Sequence, residues 1–219
     1  MEDLYGEFNT ISGGGADQNS SVHNYFVNSI DRDKALLYIP LAGDPSFRSY
    51  GTSLKYVRSI FNPLGIDTIT MWTELNNKSL SELKRFSAVY FSGGCTLTLL
   101  KALKKSNFDK ILMQYYESGG TIFGQSAGAI IFGSHITHTN PKGENSAEYE
   151  PLNLIYNYRL WCHYDAREDK LIYQFSEDGG PPLLALPDGA AIRFSDTSTS
   201  MEIINKQAYE FKQGKKKTL

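Results

Sequence analysis

The sequence predicts an α/β protein built on a mainly parallel sheet, with a set of β-strands at its C-terminal end. Three observations carry this. From about residue 35, short apolar runs alternate with amphipathic stretches at the pitch of right-handed βαβ units. Several of those runs are almost continuously apolar, as expected of strands buried on both faces. Beyond about residue 184 the helical stretches stop and strand-like runs follow one another directly. At about 150 residues per domain, 219 residues read as one domain over residues 1–219, its last few residues a Lys-rich tail.

The elements follow in order. Ala35 to Ala42 reads as a buried strand, and Asp44-Pro45 as an N-cap with proline in the first helical turn. Tyr50, Leu54, Val57, Ile60 and Phe61 recur at helical spacing until Asn62-Pro63-Leu64-Gly65 stops them. Asp67 to Trp72 is a second strand. Ser79 and Glu82 have the spacing of a capping box. Ala88 to Phe91 is a third strand that runs into Ser92-Gly93-Gly94, with a helix marked by Leu97, Leu100 and Leu103 behind it. A further helix, Phe108 to Glu117, ends at Gly119-Gly120. Thr121 to Gly124 is a fourth strand, followed by a helix start at Ala127. Leu184 to Phe194 reads as two strands joined by a turn at Asp188-Gly189, and Met201 to Phe211 as one or two more. Lys215-Lys216-Lys217 reads as a solvated tail.

Composition narrows the function classes. Hydrophobic residues make up 41% and charged residues 21%, as in globular chains. The 22 basic and 24 acidic residues give a net charge of −2, which offers no electrostatic case for nucleic acid or an anionic membrane as partner. No apolar run approaches about 18 residues, and Met1-Glu2-Asp3 is unlike a secretory signal. Two cysteines, Cys95 and Cys162, make no disulfide framework and no metal site, and both read as packing residues. The expectation is a cytoplasmic protein that needs no cofactor.

The strongest chemical signal is Gly124-Gln125-Ser126-Ala127-Gly128, a serine between two glycines after a buried strand and before a helix. This is the pattern of a nucleophile elbow, in which bulk two residues before or after the serine would strike neighbouring backbone. The helix start would aim amide N–H groups at an oxyanion. A chance glycine-rich turn is the plainer alternative. A serine nucleophile needs a base. Of His23, His135, His138 and His163, the last stands at the end of the apolar-rich segment Leu152 to Trp161, where strand ends gather catalytic groups. His135 and His138 follow the elbow too closely to return to it, and His23 lies in a polar N-terminal stretch. Ser92-Gly93-Gly94 is a source for a second oxyanion donor.

Together these residues resemble the peptidase E (aspartyl dipeptidase) and cyanophycinase family of serine peptidases. The resemblance rests on Phe91-Ser92-Gly93-Gly94, the elbow from Gly124 to Ala129, His163-Tyr164 placed 37 residues after Ser126, and Leu186-Pro187-Asp188-Gly189-Ala190. It implies a three-layer α/β sandwich like a class I glutamine amidotransferase domain. It also implies Ser126 as nucleophile, His163 as general base, the amides of Gly94 and Ala127 as oxyanion hole, and metal-independent cleavage of small peptides next to aspartate. Peptidase E carries an aspartate after a Thr-Asn pair, whereas here Thr139-Asn140 is followed by Pro141. Glu144 matches the offset of cyanophycinase-like members and ranks first as triad acid, ahead of Glu148 or Glu150 and then Asp165. Three other classes compete: an esterase sharing the elbow, a glutamine amidotransferase, which would need a cysteine where Ser126 stands, and a domain that has lost its acid and binds a peptide or partner.

Overall fold

The structure, a computed structural model, describes residues 6–136, 150–155, 157–177, 179–195 and 201–219. The chain opens on a strand and helix that the sequence pattern did not reveal, β1 (Phe8–Ile11) and α1 (Ser20–Asn28). There follow β2 (Leu36–Ile39), α2 (Tyr50–Phe61), β3 (Ile69–Met71), α3 (Leu80–Leu83), β4 (Ala88–Phe91), α4 (Thr96–Lys105) and α5 (Phe108–Glu117). Next come β5 (Ile122–Gln125), α6 (Ala127–Ile130), β6 (Arg159–Cys162) and α7 (Asp169–Ser176). The chain closes with β7 (Leu183–Leu186), β8 (Ala190–Phe194), β9 (Met201–Asn205), β10 (Tyr209–Lys212) and β11 (Lys215–Thr218).

Local chemistry sets the boundaries. The Ser79–Glu82 capping box forms as its spacing predicts. Asp44 does not start α2; its carboxylate accepts from the Ser46 amide in a turn, and Ser49 caps the helix by accepting from Thr52 N–H. Gly65, at φ +90°, ends the turn that stops α2.

A seven-stranded sheet has the order β3-β2-β4-β5-β1-β8-β9. Its pairs from β3 to β1 are parallel, while β8 and β9 join antiparallel. Successive strand residues alternate between two cores. Leu37, Ile39, Val89 and Phe91 pack with Leu99, Leu103 and Leu112 of α4 and α5. Leu36, Tyr38, Ala88 and Tyr90 pack with Val22, Phe26, Val57 and Phe61 of α1 and α2. Helices thus cover both faces, the three-layer arrangement expected.

Two further readings need correction. The segment 184–194 is no hairpin: β7 belongs to a second, four-stranded sheet of order β11-β10-β7-β6, and β8 to the large one. The Asp188-Gly189 corner therefore carries the chain between sheets. The Lys-rich end is not a free tail either. β11 pairs with β10, and the Lys216 ammonium lies 2.9 Å from the Asp169 carboxylate and over the ring of Tyr209 at 4.5 Å. Among the described residues no helix is long and apolar enough to cross a membrane.

Candidate active site

The carboxyl ends of three neighbouring parallel strands make one side of the site. β4 runs into Ser92-Gly93-Gly94, β5 into Ser126, and β1 into Ser12-Gly13. The small sheet makes the other side. Its parallel strands β6 and β7 end side by side, at Cys162 and Leu186, and deliver His163 and Asp188.

Ser126 stands at φ +50°, ψ −111°, a conformation costly for a residue with a side chain. Its amide donates to the Ile11 carbonyl at 2.9 Å, and its carbonyl accepts from Ala129 and Ile130 as α6 begins. The flanking glycines let strand and helix close on the turn. A Cβ on Gly124 would lie 2.4 Å from the Gly128 carbonyl oxygen, and one on Gly128 would lie 2.5 Å from that of Phe91. The elbow has the steric logic its sequence predicts.

His163 also has positive φ, +61°. Ser12 holds it in place: the His163 amide donates to Ser12 Oγ at 2.6 Å, and that hydroxyl donates to the Leu186 carbonyl at 2.6 Å. The ring then bridges two groups. Nε2 lies 2.8 Å from Ser126 Oγ, and Nδ1 lies 2.7 Å from Asp188 Oδ1. An ionised carboxylate only accepts, so Nδ1 carries the hydrogen and Nε2 is left to accept from the serine hydroxyl. The side chains of His163 and Asp188 are 54% and 46% exposed, so solutes can reach the pair.

Asp188 is the site residue that sequence reasoning missed. The Asp-Gly pair resembles hairpin chemistry, although Leu-Pro-Asp-Gly-Ala was already among the motifs carrying the family resemblance. Glu144, ranked first, and Glu148 lie outside the described residues. Each ring nitrogen has one hydrogen-bonding direction, and Asp188 takes that of Nδ1. Glu150 is exposed. Asp165 points elsewhere: the Arg167 guanidinium binds its carboxylate at 2.8 Å and holds its pKa down at about 2.

Of the other described histidines, neither His23 nor His135 is brought to Ser126. His135 bonds the Ser134 hydroxyl, and His138 lies outside the described residues. His23 is buried on α1 against Phe61 and Phe123 rather than in a polar stretch, and burial lowers its pKa to about 4. Cys162 is buried, its thiol pushed up to about 12, whereas Cys95 is exposed. Among the described residues no three His, Cys, Asp or Glu side chains converge as a metal-holding group.

The two expected oxyanion donors border the serine. Ala127 is the first residue of α6, where an amide has no partner within the helix. Gly94 stands at φ +145°, and a Cβ there would lie 2.1 Å from the Ala42 carbonyl oxygen. Among the described residues, no backbone carbonyl accepts from either amide. A cavity of about 380 Å³ opens beside them, lined among others by Gly93, Gly94, Gln125, Tyr38, Asp44, Arg48 and Tyr56. A Cβ on Gly93 would lie 3.9 Å from Ser126 Oγ, so the cavity adjoins the serine hydroxyl. The Arg48 guanidinium lies over the Tyr56 ring, 4.8 Å from its centre.

Comparison with known proteins gives a consistent picture. The family model for peptidase family S51 matches residues 10–202. An uncharacterized peptidase of Listeria monocytogenes is 28% identical over 114 residues, 50% of this chain and 55% of that protein. The chain thus spans about half the length of this relative. Peptidase E of Haemophilus influenzae is 24% identical over 175 residues, 75% of this chain and 78% of that protein. The crystal structure of a peptidase from an acI-B1 Actinobacterium superposes with a TM-score of 0.76 at 17% identity, covering 99% of this chain and 95% of that one. At that identity the likeness concerns the fold.

Proposed function

The chain belongs to peptidase family S51, and on that premise we propose that it is a serine peptidase cleaving small peptides through an acyl-enzyme. One observation carries the reading: the continuous line Ser126 Oγ–His163 Nε2, His163 Nδ1–Asp188 Oδ1, at 2.8 and 2.7 Å. Ser126 attacks the scissile carbonyl carbon while His163 Nε2 takes the hydroxyl proton. Asp188 keeps the proton on Nδ1 and stabilises the imidazolium that forms. The amides of Gly94 and Ala127 receive the oxyanion of the tetrahedral intermediate. His163 then returns the proton to the leaving amine, the C–N bond breaks, and an ester on Ser126 remains. Water attacks that ester with His163 again as base, releasing the acid and restoring the hydroxyl.

The binding-only alternative drew its force from the missing acid after Thr139-Asn140, and the carboxylate of Asp188 weakens it. For specificity we infer an acidic side chain on the acyl side, as in Asp-Xaa dipeptides. The tyrosine-rich cavity beside Ser126 is lined by the Arg48 guanidinium as well as by Asp44, whose carboxylate accepts from the Ser46 amide, and an anionic side chain is the guest that complements the guanidinium. The test is labelling with a fluorophosphonate, then turnover of Asp-Xaa dipeptides, other dipeptides and simple esters. Labelling absent in Ser126→Ala, with dipeptides turned over in preference to esters, is the expected result. Wild-type protein that neither labels nor hydrolyses any of them would overturn the reading.

A further inference from the structure

The corner that carries Asp188 is gripped from outside by two consecutive residues. Asp188 and Gly189 cross between the sheets with Gly189 at φ +85°. Its amide donates inward to the Gly13 carbonyl at 3.0 Å. The two outward carbonyls are taken by the residues at the end of β9. Lys206 Nζ donates to the Asp188 carbonyl at 2.6 Å, and Asn205 Nδ2 donates to the Gly189 carbonyl at 2.7 Å. Asn205 adopts φ +73°, and its Nδ2 also lies 3.2 Å from the Gln18 carbonyl, in the segment between β1 and α1. The lysine stem folds closely over the corner, since a Cβ on Gly189 would come within 3.1 Å of Lys206 Cε and Nζ.

We propose that Lys206 and Asn205 are positioning residues that fix the Asp188 carboxylate against His163. The inference rests on the reading of Asp188 as triad acid. Asp188 lies on an irregular corner with a half-exposed side chain, so neither strand ladder nor core packing sets its direction. With both carbonyls of the corner held, rotation of its peptide planes costs a hydrogen bond. The carboxylate then stays on the ring nitrogen through the catalytic cycle, where displacement by about 1 Å can cost about 100-fold in rate.

Lys206→Met keeps the stem and deletes the donor, Lys206→Arg restores a donor, and Asn205→Ala tests the second clamp. The measurements are kcat and KM on the best dipeptide, thermal stability, and the low-field proton resonance of the His163 Nδ1–H bonded to Asp188. Lys206→Met is expected to lower kcat about 10-fold to 100-fold with KM within twofold, and to shift or broaden the resonance. Lys206→Arg should recover most of both, and Asn205→Ala should act in the same direction. A fall in Tm with kcat and the resonance unmoved would make the pair a structural staple and overturn the proposal. If Lys206→Met does not fold, Asn205→Ala carries the same test at the second carbonyl of the corner. Full activity in Asp188→Asn would instead remove the triad reading. Collapse of Asp188→Asn beside an inert Lys206→Met and Asn205→Ala would remove only this inference.

Discussion

Gly13 lies flat against the His163 ring: a Cβ at that position would sit 2.1 Å from His163 Cε1 and 2.7 Å from Asp188 Oδ1. A single methyl group would therefore occupy the volume of the imidazole. Gly13→Ala is expected to push the ring off Ser126 and lower kcat/KM about 100-fold while the protein remains folded. Fluorophosphonate labelling rates together with a thermal melt check this, and normal labelling in a folded variant would refute it.

Asp188→Asn preserves shape and removes the charge that fixes the tautomer. Turnover is expected to fall by about 10⁴. Glu144→Gln, Glu150→Gln and Asp165→Asn should each stay within about threefold of wild type. Steady-state kinetics of the four variants side by side decides between Asp188 and the acids favoured by sequence.

Arg48→Gln should act on selectivity. A charged hydrogen bond lost from the cavity beside Ser126 corresponds to roughly 10-fold to 100-fold in kcat/KM for Asp-Xaa dipeptides. Ala-Xaa turnover should be little changed. Equal losses on both substrates would remove Arg48 from side-chain recognition.

His23 predicts a pH dependence of stability unrelated to catalysis. Its pKa is near 4 in the folded protein, lowered by burial, against an unfolded value of 6.5. The unfolded chain takes up the proton first, so stability is fully present above pH 6.5 and declines as the pH falls towards 4. The loss at pH 4.5 is about 2.5 kcal/mol. Denaturant titrations at pH 7 and 4.5 should show that slope in the wild type, and His23→Phe should remove His23's share of it. An unchanged slope in the variant would assign the dependence to other groups.

Much of this was legible because it is written in short-range patterns. Buried parallel strands are continuous apolar runs, and the elbow needs its glycines at fixed offsets, so β2, β4, β5 and Ser126 could be read directly. β1 escaped because Asn9 and Thr10 break its apolar run, although the strand is central. Thr10 is tolerated there because its hydroxyl oxygen accepts from the Ile192 amide at 3.2 Å. Asp188 escaped because a tight turn and a crossover between sheets use the same Asp-Gly chemistry; which one forms depends on pairing partners far away in sequence. Lys216 escaped for a similar reason. Its aromatic and acidic neighbours come from α7, β10 and the residue after His163, none of which a run of lysines discloses.

Ser126 and the Gly94 and Ala127 amides belong to one sheet and His163 to the other, so the Ser126–His163 hydrogen bond spans a seam. Hydrogen bonds beside the site link Ser12 Oγ with Leu186 and His163 and the Gly189 amide with Gly13, and Leu160, Cys162, Leu184 and Leu186 of the small sheet share a core with Val89, Phe91 and Ile122 of the large one. The alignment of the reacting groups is therefore a property of how two bodies are docked, not of either body alone. A slip of the small sheet by one ångström would leave every strand ladder intact and still part the serine from its imidazole. In such a molecule, competence for chemistry reports on the seam long before spectroscopy registers any loss of secondary structure.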